Sequence, residues 1–268
     1  MYAGFLTDRH TSSWLGSHQK FNRMAHRLLM QGYMKDEKFP TIKEIQSFEG
    51  LNGPDGLKVK SPAQHEPNHF IDPDNPDDRE LLDLITNHAK AFRKAVKDDN
   101  MERLAFESAW LAHAITDGLT PAHHYPFHAH LEQIRGEPAE TRINYRKKVF
   151  AKGGNRRDTL LKNWKLWGNK GVLLTHYNFE IGIATVLIPM RYRSVSLSAE
   201  EIEHARNLGF EKYFREQLNQ IAALHMYSRF FKTGWSTALA QDAKKVLVPI
   251  IARTVALAWL LNYEKAKK

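Results

Sequence analysis

Apolar residues recur at three- and four-residue spacing through most of the chain, as in Phe21, Ala25, Leu28 and Leu29, in Leu81, Leu82, Ile85 and Ala89, and in Leu104, Trp110, Leu111 and Ile115. Positions three and four apart lie on one side of a helix, so this period marks helices with one buried face. It continues around 158–188, 198–232 and 236–264, whereas alternating runs of the strand type are scarce. The pattern predicts an all-α protein. With no internal repeat and no composition shift to mark a boundary, 1–268 reads as a single multi-helix domain.

Two stretches break the pattern. Residues 50–77, "GLNGPDGLKVKSPAQHEPNHFIDPDNPD", are so dense in Gly, Pro, Asn and Asp that the expectation is a long loop at about 50–78 without regular helix. Loops of that length in a helical protein are usually functional or disordered, and this one carries Asp55, His65 and His69. A second irregular stretch covers roughly 133–157. The most apolar segment, "VLVPIIARTVALAWLLNY" at 246–263, is interrupted by Pro249 and Arg253 and is short for a membrane span, so a buried helix is expected there.

Composition narrows the partners and the chemistry. The 268 residues are 42% hydrophobic, enough for a substantial core, and carry a net charge of +9, which favours phosphates, nucleic acid or an anionic membrane surface. The basic residues read as spread along the chain, with one local cluster, "NYRKKVFAKGGNRR" at 144–157, whose plain reading is a solvated loop. There is no cysteine, which excludes thiolate ligands, thiol catalysis and disulfides; any metal must use His and carboxylate. The first residues, "MYAGFLTDRHTSSWLGSH", lack the unbroken apolar run of a secretion signal, so the location reads as cytoplasmic or unknown, with an already cleaved mature form as the alternative.

The chemistry concentrates in "HAITDGLTPAHH", residues 113–124. On a helix, His113 and Asp117 present an imidazole and a carboxylate to the same point, and His176 and Glu180 repeat that order in "HYNFE". Fourteen histidines generate some such pairs by chance, and an exposed pair is ordinary helix decoration. His113 differs in its apolar neighbours, Trp110, Leu111 and Ile115, among which an unpartnered imidazole and carboxylate would cost several kcal/mol. A buried metal or satisfied core hydrogen bonding would each remove that cost. Gly118 can end the helix and Pro121 suits the first turn of the next, so His123 falls just past a tight corner from Asp117. His124, His128, His130 and His65 are weaker candidates, while His26 and His88 read as ordinary satisfied residues. Trp164, Trp167 and Tyr177 read as core aromatics before ligand-box residues, and "DPDNPDD" as a turn before a charged helix start.

Taken in order, "HQKFNRMAHRLL" from His18, "PDG" at Asp55, "NHFIDPD" around His69, "HAITDGLTPAH" from His113 and "HYNFE" from His176 resemble the bacterial zinc-dependent phospholipase C family. More distantly they are similar to the single-strand-specific zinc nucleases. The resemblance runs from about 18 to 180. It implies that His69, His113 and Asp117 bind one zinc, with Asp55 as a further ligand or as the base acting on a bound water, and that His123, His176 and Glu180 bind a second. It implies further that the carboxylate at Asp117 bridges to a neighbouring metal and that His18 binds a third zinc. In the family, a mature N-terminal Trp completes that third site. This chain begins Met-Tyr, and Trp14 lies too close to His18 to copy the arrangement, leaving either Asp8 or His10 as substitutes or a third site that is weak or absent. The 52 residues between His123 and His176 are also a long connection for a metal site.

The function this implies is a zinc-dependent phosphodiester hydrolase, with two or three Zn2+ per chain, cleaving phospholipid head groups by a metal-activated water. Imidazole and carboxylate donors suit zinc better than an all-oxygen magnesium site. The expected partners are a phospholipid or other phosphodiester substrate and an anionic membrane surface met peripherally. The alternatives are a related single-strand nuclease or nucleotidase, with nucleic acid as second-choice partner, and a non-catalytic helical binding protein stabilised by metal.

Overall fold

The computed structural model describes residues 16–35, 37–190 and 195–268, and every regular element among them is helical. In chain order these are α1 (Ser17–Gly32), α2 (Ile42–Gln46), α3 (Pro54–Lys60), α4 (Glu80–Lys97), α5 (Met101–Gly118), α6 (Phe127–Arg135) and α7 (Tyr145–Val149). They continue with α8 (Arg156–Trp167), α9 (Val172–Leu187), α10 (Ala199–Leu208), α11 (Phe210–Ala222), α12 (Met226–Thr233), α13 (Thr237–Asp242) and α14 (Val248–Lys267).

The centre of the molecule is α14, packed against α1, α4 and α5. A helix apolar on all sides has no face to give to water and settles inside. Accordingly Ile251, Val255, Leu257 and Trp259 are buried, and the one polar atom of Trp259 is satisfied by donating to the Ser108 carbonyl at 3.0 Å. Pro249 does not interrupt the run: α13 continues into α14 through a π turn, Ala243–Leu247, placed directly before the proline that has no N–H to offer an α-helical bond. The continuous helix Thr237–Lys267 is long and apolar enough by composition to cross a membrane, but 83% of its most apolar window is buried inside the protein.

The antiparallel neighbours α4 and α5 form the largest helix pair. Asn100 caps α5 by accepting from the Arg103 N–H at 2.9 Å. At its other end α5 stops at Gly118, where a Cβ would meet the side chains of Leu81 and Phe214 at 2.7 and 2.8 Å, so a larger residue would have to displace them where the helix closes against α4 and α11. A short 3-10 turn, Pro121–His124, follows.

One sequence expectation fails at 50–78. Three short helical pieces form there, the 3-10 turns Gly50–Asn52 and Ala63–His65 and the two-turn helix α3. Pro54 sits in the first turn, where its missing N–H costs nothing, and Asp55 beside it meets the positive end of the helix. The stretch 67–78 is irregular as expected, and α4 begins directly after it. The second irregular region, 133–157, is also partly helical through α6, the turn Ala139–Thr141 and α7. A separate small core of Phe127, Leu131, Ala151, Leu166 and Val172 ties α6, α8 and α9 together, with Phe70 packed on its edge.

Candidate metal centre

All eight predicted ligands lie in one connected set of contacts drawn from α1, α3, α5, α9, the loop before α4 and the turn after α5. Asp117 is the hub. Its Oδ2 lies 2.6 Å from His69 Nδ1 and 3.3 Å from His113 Nε2. Its Oδ1 lies 3.3 Å from His18 Nε2 and 3.9 Å from His123 Nδ1. The side chains of Asp117 and His18 have no exposure at all. Two of the four imidazoles around this dry carboxylate follow from local structure, because α5 carries His113 and Asp117 on one face and the corner at Gly118 and Pro121 swings His123 back beneath them; His18 and His69 are brought in from α1 and the loop before α4.

His18 and His113 stack with their rings 3.7 Å apart and 4° from parallel, which brings both Nε2 atoms to the same carboxylates. Asp55 completes this side, its Oδ2 lying 3.9 Å from His18 Nε2 and its Oδ1 3.8 Å from His113 Nε2. On the other side, Glu180 Oε1 lies 2.9 Å from His123 Nε2 and 3.0 Å from His176 Nε2. Two sets therefore converge closely enough to share a cation each: His18, His113 and Asp117, and His123, His176 and Glu180. The second set is the one the sequence predicts. In the first, His18 takes the place expected for His69, which reaches the set through its bond to Asp117. Asp8, His10 and Trp14 lie outside the described residues.

Burial and charge set the protonation of these groups. Burial works against an ionised Asp117, but the imidazoles of His123, His113 and His18 hold its carboxyl well below the usual carboxylate range. Burial also works against a charged His113, yet Asp117 and Asp55 overcome it and push this imidazole up to about 10. His69 goes the other way, lowered to about 3 by burial and by the Lys58 ammonium, and burial lowers His123 to about 4. His123 donates from Nδ1 to the His69 carbonyl at 2.7 Å, which turns its Nε2 toward Glu180 Oε1 at 2.9 Å.

Three residues of the centre have no ligand-like spacing in the sequence. Glu49, buried, stands 3.2 Å from His113 Nδ1 and accepts from Asn22 Nδ2 at 2.8 Å, so it fixes the ring and leaves Nε2 aimed at the hub. Lys58 Nζ pairs with Asp55 Oδ1 at 2.7 Å and has a third of its side chain in solvent, which places it at the mouth of the site. Burial opposes its charge, but Asp55 and Asp117 keep it an ammonium, and in return Lys58 and His113 overcome the burial of Asp55 and hold that carboxyl far below its usual range.

The weaker candidates fall elsewhere. His65 is exposed beside Gln64, His124 contacts the Gly118 carbonyl at 2.9 Å, and His130 bonds the Tyr125 hydroxyl. His128 packs against the edge of Phe70. His26 and His88 are satisfied by the Pro40 carbonyl and by Glu107, as the sequence suggests. The aromatic stripe does not go to the core: Trp164, Trp167 and Tyr177 are 64%, 37% and 42% exposed.

The donor set fits zinc. It contains only imidazole nitrogens and carboxylate oxygens, and two buried imidazole nitrogens, His69 Nε2 and His176 Nδ1, have no hydrogen-bond partner among the described residues, a cost that a bound ligand would remove. Comparison of the chain with protein-family models gives no match, and a search of curated proteins gives none either.

Proposed function

We propose that this protein is a zinc-dependent phosphodiester hydrolase of the phospholipase C type, acting on phospholipid head groups. The observation that supports this reading is the meeting of eight residues, picked from sequence as a ligand set, in one buried imidazole–carboxylate network opening at Lys58. His18, His113 and Asp117, with Asp55 and His69 adjoining, would hold zinc on one side, and His123, His176 and Glu180 on the other, for two or three ions per chain. Zinc bound there supplies an acidified water and positive charge for the phosphoryl oxygens.

The chain's own groups do the rest. Asp55, kept ionised by Lys58, accepts a hydrogen bond from the attacking water and orients it; its depressed basicity suits it to holding the water more than to removing the proton. Lys58, with one N–H directed at Asp55, has further N–H donors for a non-bridging phosphoryl oxygen entering at the mouth. Glu49 and the His69 carbonyl hold His113 and His123 in the tautomers that present Nε2 to the site.

The test is hydrolysis by zinc-supplemented protein of a phosphatidylcholine and of a single-stranded oligonucleotide, beside Asp55→Asn. The expected result is lipid head-group release that falls by about a hundredfold in the variant, the scale of a lost positioning contact, with helical content unchanged. Cleavage of the oligonucleotide alone would move the assignment to a nuclease. No turnover of either would leave a metal-stabilised binding protein.

A further inference from the structure

Helix α8 has its apolar residues on the wrong side for a soluble helix. Only Leu166 is buried, while Leu160, Leu161 and Trp164, which share a face at i, i+1 and i+4, are 74%, 52% and 64% exposed. Phe150 and Ile143, just before it, are 56% and 55% exposed. Among the described residues these are the five most exposed large apolar side chains, and all lie between 143 and 164. The backbone beneath them is anchored rather than loose. Asn163 donates to the Ala151 carbonyl at 2.8 Å, and Trp167 Nε1 to the Val149 carbonyl at 2.6 Å.

The same segment holds the charge. Residues 142–170 contain ten Lys or Arg against the single acid Asp158, a net of +9 that equals the net charge of the whole chain, so the remainder is balanced. Arg156 and Arg157 lie one turn before the apolar face, and Lys165 and Lys170 line a cleft of about 380 Å³ beside Trp164. The segment sits next to the metal centre: α8 and α6 share their small core with Val172 of α9, the helix bearing His176 and Glu180, and Lys148 of α7 donates to the carbonyl of Lys58 at 2.5 Å.

We propose that α8, with the preceding segment 143–152, is a docking surface for an anionic phospholipid bilayer. Leu160, Leu161 and Trp164 enter the interface while the surrounding Lys and Arg meet the lipid phosphates. A basic helix with Leu and Trp on one face is the pattern that lies in a membrane interface. A second copy of this chain is a poor occupant, because it would bring the same +9 segment against itself. Nucleic acid would use the cations but gives nothing to leucines and an isoleucine that are more than half exposed. The proposal stands apart from the hydrolase reading, since docking needs no turnover.

The test is co-sedimentation with phosphatidylcholine vesicles, with and without phosphatidylglycerol, in the presence of chelator so that no hydrolysis alters the lipid. The expected result is binding to the anionic vesicles and far less to the neutral ones. Leu160→Ser/Leu161→Ser/Trp164→Ser should weaken binding at least about tenfold, and so should Arg156→Glu/Arg157→Glu, because each basic residue near an anionic surface is worth roughly fivefold. The second variant puts acids in the first turn of α8, where they favour the helix, so it tests the surface without threatening the fold. Wild-type protein that ignores anionic vesicles overturns the proposal, as does wild-type affinity in both variants or binding to a single-stranded oligonucleotide but to no vesicle.

Discussion

Replacing Asp117 with Asn keeps the shape of the hub and removes its charge. In the metal-free protein the size of the effect follows from His113, whose imidazole is held at about 10 against an ordinary 6.5. At pH 7 that difference stabilises the fold by about 4 kcal/mol, at 1.36 kcal/mol per pKa unit after allowing for the fraction already protonated when unfolded. Asp117 is the larger of the two carboxylate contributions, so its loss should cost the metal-free protein about 2–4 kcal/mol at pH 7. The pH dependence has a definite sign. A raised folded-state pKa gives stability that is complete below 6.5 and disappears as pH rises through about 10. The His113 contribution should therefore fall between those limits in the wild type and fall less steeply in Asp117→Asn, where only Asp55 and Glu49 still favour the charged ring. Urea unfolding followed by tryptophan fluorescence, in chelator at pH 7 and pH 10, measures both. Equal stability of the two proteins at pH 7, or equal slopes with pH, would refute the view that a buried carboxylate charges His113.

Other outcomes follow from the same geometry. Glu49→Ala removes the group that orients His113 and should weaken zinc binding by about 10- to 100-fold, read by competition with a chromogenic chelator, while Glu49→Gln should lose less. Lys58→Gln frees Asp55 from its 2.7 Å partner, so the acid limb of the hydrolysis–pH profile should move to higher pH with KM rising more than kcat falls; an unmoved limb would count against the pairing in solution. Gly182→Ala would place a Cβ 1.8 Å from Trp235 Nε1, displacing an indole that donates to the Asn178 carbonyl and stacks on Phe179. Overpacking costs about 1–3 kcal/mol and better helix propensity returns up to about 1, leaving net destabilisation by thermal melting.

What the sequence revealed depended on whether the relevant residues were close along the chain. Helices with one apolar face were legible because the period repeats within a few turns, and the pairs His113–Asp117 and His176–Glu180 because one helix turn brings them together. Glu49 and Asn22 were not, since their partners lie 64 and 27 residues away and only the fold joins them. Lys58 was hidden in a stretch whose Gly and Pro argued against helix, although Pro54 and Asp55 are suitable residues for a first helical turn. The exposed stripe of α8 was read as core because periodicity marks a face without saying what covers it. The regrouping of His18 with His113 came from ring stacking across α1 and α5, which no spacing rule contains.

The central claim is that this imidazole–carboxylate network holds metal. Elemental analysis of protein purified without chelator, beside Asp117→Asn and Glu180→Gln, tests it most directly. The account predicts two or three zinc ions per chain, with the hub variant losing more than Glu180→Gln because, among the described residues, Asp117 contacts four imidazoles and Glu180 two. No stoichiometric metal, even after zinc is added back, would contradict it.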